Sequence, residues 1–232
     1  MRTTAGLLRA QRLHGSTDRA RVALLGQTAL LLGGDQVGVE VEVGPGAVLE
    51  LTDIAATVAY HGRGRSAHWQ TTVRLGLGAR LSYAGAPLVV SDGADVTRSL
   101  TVDLAEGASA WLRETVVLGR AGEVGGRLDT SALLRRSGEE FCRERLILDP
   151  RTRGRPGILA GVRVLDSLLL LGTPREVAPT PAEPRSGCRT SFSGRSDVAT
   201  YALLDEGSTI TRFLGSSLAD SPLGCPTIDK AR

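Results

Sequence analysis

The sequence predicts a mostly β fold: a layered, β-helix-like stack of repeated hairpins with little helix near the C-terminus. Three observations carry that expectation. An alternating segment, a turn ending in Gly-Ala and a second alternating segment recur as VEVEVGPGAVLEL (39–51), TVRLGLGARLSY (72–83) and LTVDLAEGASAWL (100–112), with central glycines 32 and 29 residues apart. Within each copy the apolar residues fall on every second position, as a strand with one buried face requires. The 232 residues include 29 glycines but only 3% aromatics, so the core must be built from Val, Leu, Ala and Ile around many tight reversals.

The first copy shows the logic. In Val39-Glu40-Val41-Glu42-Val43 the valines face a core and the glutamates face water. Gly44-Pro45-Gly46-Ala47 then supplies a pre-set φ at Pro45 and tolerance of positive φ at the glycines, as a hairpin connection demands. A lone hairpin is marginal in water, whereas stacked copies bury a shared core. A looser fourth copy, YALLDEGSTITRFL, surrounds Gly207. An ordinary β-sandwich with similar hairpins is the alternative, because solenoids normally keep a stricter period.

Further strands are expected at Arg21–Leu25, Ala29–Leu32, Leu88–Val90 and Glu114–Leu118, and 127–134 is expected to pair with 141–148 across Ser137-Gly138. After Asp149 the texture changes. DPRTRGRPG (149–157) reads as a loop, 158–171 is again apolar, and 173–195, with four prolines, reads as a flexible segment within one domain spanning 1–232. The tail from about 196 reads as a final hairpin followed by a short helical turn near Ser216–Asp220.

Composition excludes several functions. Twenty-eight basic and 25 acidic residues are interspersed, and the densest basic cluster (Arg151, Arg153, Arg155) has no aromatic platform, so no nucleic-acid partner is expected. No apolar run reaches bilayer length, and the basic N-terminus lacks the apolar stretch of a signal peptide, so a cytoplasmic protein without a membrane role is expected. Cys142, Cys188 and Cys225 are odd in number and widely spaced, which fits neither a disulfide framework nor a zinc site.

No catalytic constellation emerges, and no enzyme is expected. There is no G-x-S-x-G elbow and no GxxxxGK[ST] loop. Gly33-Gly34-Asp35 leads into a strand and so offers an anion no helix N-terminus. His14, His61 and His68 match no compact metal motif and read as loop residues. Asp53, Asp92, Asp95 and Glu114 read individually as solvated charges. Glu114 differs in one respect, because it shares parity with Leu112, Val116 and Leu118 and is expected to point inward.

With these segments in place, the chain resembles the UreD (UreH) family of urease accessory proteins. The resemblance runs from LLLGGDQVGVEVEVGPGAVLELTDIAAT (30–57) to RERLILDP (143–150) and covers about two-thirds of the chain in order. Its motifs are Gly33, Gly34 and Asp35 before the first alternating strand, the Gly44-Pro45-Gly46 turn, and an E-x-x-x-L-G-R element at Glu114, Leu118, Gly119 and Arg120. LAGVRVLDSLLLLG (159–172) is also similar to a family segment. After the GPGA turn the family usually carries a Gln and then a Thr-Lys pair, where this chain has Asp53-Ile54 and Thr57-Val58.

The resemblance implies a maturation scaffold that binds apo-urease and UreF, which recruits the GTPase UreG, and that assists nickel insertion. It implies no tightly bound cofactor, only nickel in transit. Weak, exchangeable oxygen ligands facing an internal path would suit such transit, and Asp53 and Glu114 are the candidates. Two rivals remain: a β-rich interaction domain with no metal role, and a carbohydrate-acting β-solenoid. The second would need clustered exposed aromatics or paired carboxylates across a groove, and the eight aromatics here are scattered.

Overall fold

The computed structural model describes residues 6–13, 19–155, 158–159, 161–172, 198–205 and 207–223. The 173–195 segment, His14, Cys188 and Cys225 lie outside them. The described residues form fifteen strands, one 3-10 turn and no α-helix.

The first eight strands are β1 (Leu8–Arg12), β2 (Ala20–Gly26), β3 (Gln36–Val43), β4 (Val48–Asp53), β5 (Thr57–Ala59), β6 (Ala67–Leu75), β7 (Arg80–Ala84) and β8 (Leu88–Val90). There follow β9 (Asp95–Leu104), β10 (Ser109–Leu118), β11 (Arg127–Arg136), β12 (Glu139–Leu148), β13 (Val164–Leu171), β14 (Val198–Asp205) and β15 (Ser208–Gly215). The 3-10 turn, Leu218–Asp220, falls where a short helical turn is expected.

Two sheets face each other. One runs β12-β11-β9-β6-β3, and the other runs β1-β2-β4-β7-β10-β13-β15-β14 with β5 and β8 alongside. Together they make a β-solenoid of about four turns, the stacked architecture that the repeat predicts.

The units inside the stack differ from the expected hairpins. β3 and β4 flank the Gly46 turn but lie in opposite sheets. Each pairs in parallel with its counterpart in the next coil: Val39 with Thr71 and Val48 with Arg80, a step of 32 residues. The next step, Thr71 to Leu100 and Arg80 to Ser109, is 29 residues. These are the two glycine spacings of the repeat. An arc and a hairpin share the same period-two pattern and the same glycine turn, so pattern alone does not separate them. The turns themselves stack, with Gly46 N–H donating to Leu77 C=O (2.8 Å) and Gly78 N–H to Glu106 C=O (3.0 Å).

Real hairpins close the stack. β11 and β12 pair across Ser137-Gly138 as expected, with both turn residues at positive φ. The segment around Gly207 is likewise an antiparallel hairpin, β14–β15, at the sheet's end rather than a fourth coil. β2 and β8 match their expected strands, while 29–32 is a loop in which Leu31 has φ 58°.

Register explains the core. Val41, Val73, Val102 and Leu134 sit side by side across four coils, and the last three are essentially inaccessible. β13 is buried at every position because its outer face is covered as well. There Trp111, Leu168 and Leu170 pack with Leu223, and Asp166 accepts hydrogen bonds from Arg113, Thr115 and Ser221.

Candidate functional site: a polar seam through the core

Because neighbouring coils are in register, one polar residue per coil at the same inward position makes a row along the solenoid. Such a row exists. Ala84 pairs with both Thr52 and Arg113, so the following positions bring Asp53 and Glu114 onto one row of the inner face, on either side of Gly85. Glu114 pairs in turn with Ser167, and Ser167 with Arg212. Across the core, Arg98 stands between Trp69 and Thr130 on the facing sheet, and Glu144 lies one strand further on.

These groups hold one another. Arg98 contacts Glu114 at 2.8 Å. Arg212 donates to both oxygens of Glu144, at 2.7 and 2.8 Å, and its Nε donates to Ser167 Oγ at 3.1 Å. The Arg212 hydrogen bonds hold the Glu144 carboxyl below the usual carboxylate range. A cavity of about 40 Å³, space for ordered water, lies among Arg98, Glu114, Glu144, Ser167 and Arg212.

Asp53 is placed differently. Its Oδ1 accepts from Tyr83 Oη at 3.1 Å, and its Oδ2 accepts from Ala86 N–H at 3.0 Å. Both donors are neutral, and among the described residues no cation touches the carboxylate. Burial therefore pushes its pKa up, against the smaller opposing effects of Ala86, Tyr83 and the more distant Arg98. Burial first, and then the Asp53 charge, likewise raises the Tyr83 phenol. Asp53 borders a cavity of about 320 Å³ walled by Leu24, Leu30, Tyr60 and Trp69.

The Glu114 parity expectation is met: the side chain is about one-quarter exposed and turned into the core. The other motif residues lie at corners and make the stack. Gly33 approaches Gly62 so closely that a Cβ would overlap its carbonyl, and Asp35 Oδ2 accepts from Leu32 N–H at 3.0 Å. Gly46 has φ 65° in the first arc, which begins at Gly44-Pro45. Gly119 has φ 82° and its N–H bonds to Val90 C=O, while Arg120 clamps Glu123. That pairing lowers the Glu123 pKa to about 2. Asp92 and Asp95 also tie corners, accepting from Gly125 N–H, and from Ser66 and Arg127. His61 Nδ1 accepts from Arg63 N–H within its own turn. Among the described residues no three of His, Cys, Asp and Glu converge closely enough to hold a metal ion.

Sequence reasoning missed Arg98, Glu144 and Arg212. Arg98 carried a signal, since it interrupts the inward parity of Val96, Leu100 and Val102. Arg153 lies in the loop expected at 149–157. It is buried and donates to the carbonyls of Val124, Gly125 and Gly126.

Comparison with known proteins adds a second line of observation. The family model described as UreD urease accessory protein matches residues 2–221. Urease accessory protein UreD 1 of Streptomyces griseus is 43% identical over 178 residues, covering 76% of this chain and 68% of that protein. UreD 1 of Saccharopolyspora erythraea is 38% identical over 206 residues (88% and 79%), and UreD of Streptomyces avermitilis is 31% identical over 220 residues (92% and 87%).

Proposed function

The chain belongs to the UreD family of urease accessory proteins, and from that premise we propose that it is a non-catalytic, cytoplasmic scaffold for urease maturation. It binds apo-urease and UreF, reaches the GTPase UreG through UreF, and assists delivery of nickel to the urease active site. Nickel is cargo in this reading, not a resident cofactor.

The observation that best supports the reading is the polar seam. A β-solenoid core is ordinarily apolar, and burying charge is costly unless it is paired. Here three carboxylates and two guanidinium groups line up along the stack, with small cavities beside them. Hard oxygen ligands suit a borderline divalent cation held briefly and released. Asp53 is the first such ligand, since among the described residues its carboxylate meets only neutral donors. Glu114 and Glu144 become available only when Arg98 and Arg212 swing aside.

The test separates assembly from passage. Tagged chain is co-expressed with the urease subunits, UreF and UreG, and both recovered complex and urease activity are measured. Wild type should recover UreF and apo-urease. Asp53→Asn and Glu114→Gln should recover the same complex but activate urease at least several-fold less. Loss of the complex from the wild type would overturn the scaffold. Full activation by both variants would leave a binding scaffold with no passage through the seam.

A further inference from the structure

The terminal strand β3 pairs with β6 on one side and with no other strand of the described residues on the other. Two hydrogen bonds set the phase of that ladder: His68 N–H to Asp35 C=O (2.8 Å) and Gly76 N–H to Val43 C=O (2.9 Å). In a parallel ladder this phase commits both backbone groups of Val37, Val39, Val41 and Val43 to β6. The N–H and C=O of Gln36, Gly38, Glu40 and Glu42 therefore point away from the stack, with no partner among the described residues.

The facing sheet continues past this edge by two strands, β2 and β1. The overhang roofs a groove of about 350 Å³ between Val22, Leu24 and Ala10 on one side and Val39, Val41 and Leu49 on the other. The exposed side chains along the edge are acidic. Glu42 pairs with Arg74 at 3.2 Å, while Glu40 has no ion-pair partner among the described residues.

We propose that the free edge of β3 is a docking site for an extended segment of a partner protein, which adds as a sixth strand to this sheet. Strand addition uses the open backbone groups for affinity and alternate side chains for selection. One set of side chains drops into the apolar groove beside Val39 and Val41. The other set lies outside beside Glu40 and Glu42, so the matching segment carries basic residues at every second position. A buried, fully paired strand would need no such row. An edge protected only against self-pairing would hold its charge without an adjoining apolar slot. The inference goes beyond the maturation reading and does not depend on it.

The test uses the full chain and two synthetic peptides, one alternating Arg and Val and one alternating Glu and Val. Residue-resolved amide exchange should show Gly38, Glu40 and Glu42 exchanging freely in the protein alone. With the Arg-Val peptide they should slow at least tenfold, and with the Glu-Val peptide they should not. Glu40→Pro removes an outward N–H together with one of the two acidic side chains, a change that an edge strand tolerates. It should weaken Arg-Val peptide binding at least tenfold while circular dichroism is unchanged. Should that variant misfold, the double reversal Glu40→Arg/Glu42→Arg must switch the preference to the Glu-Val peptide. No added protection, or equal protection by both peptides, overturns the proposal. Protection that grows with protein concentration in the absence of peptide would assign the edge to a second copy of the chain and would also overturn it.

Discussion

Replacing Asp53 by Asn and by Ala should give clearly different results, because the two changes treat its partners differently. In Asn, Oδ1 can take the Ala86 N–H while Nδ2 donates to Tyr83 Oη, which can accept as well as donate. The Ala86 bond is thus kept and the desolvated negative charge is gone, while the Tyr83 contact is reversed and its hydroxyl proton loses its acceptor. Stability at pH 7 should change little, because the relieved charge offsets that one unpaired donor. Ala leaves the Ala86 N–H and the buried Tyr83 hydroxyl without their acceptor, and one unpaired buried donor costs about 1–3 kcal/mol. The pH dependence supplies the sharper discriminant. The Asp53 pKa is raised in the folded state, so the folded protein holds this proton to higher pH than the unfolded chain. Its contribution to stability is therefore greatest in acid and declines as pH climbs from the unfolded value, near 4, through the raised folded one. Urea unfolding followed by circular dichroism across pH 3–8 should show that decline in wild type and lose it in Asp53→Asn. If Asn destabilises at pH 7 as much as Ala does, the desolvation argument is wrong.

Further substitutions test the stack and the seam. Glu144→Gln should cost about 1–2 kcal/mol, because charge-assisted bonds from a partly exposed Arg212 are lost. Its pH profile should run opposite to that of Asp53. The Glu144 pKa is depressed, so its contribution is present above the unfolded value and disappears as pH falls through the folded one. Gly33→Ala should destabilise by more than about 2 kcal/mol, measured by urea midpoint, since the new Cβ meets the Gly62 backbone, which has little room to shift. Leu134→Ala, at an essentially inaccessible position in the Val41-Val73-Val102 row, should cost about 2–5 kcal/mol.

Much of the architecture was legible in the repeat. Gly46, Gly78 and Gly107 all adopt positive φ, and their spacings reappear as the register shifts between coils. What the repeat withheld was the partner of each strand. Val39–Val43 and Val48–Leu51 satisfy the same alternation whether they bond to each other or to the next coil, and only the long-range ladder decides. The site was partly legible for a related reason. Glu114 announced its inward face by sharing parity with three apolar neighbours, and Arg98 announced it equally. Asp53 shared parity with Leu49 and Leu51, but at the end of β4 it had apolar neighbours on one side only. Glu144 and Arg212 meet across 68 residues and two sheets, a distance that no local pattern spans.

The most direct test of the maturation account is nickel loading of urease itself. Urease purified from cells expressing its subunits, UreF and UreG, with and without this chain, is assayed for bound nickel and for activity at equal subunit yield. The account predicts largely nickel-free, inactive urease without the chain, and restoration of both when the wild-type chain is supplied. Fully nickel-loaded, active urease in its absence would contradict it.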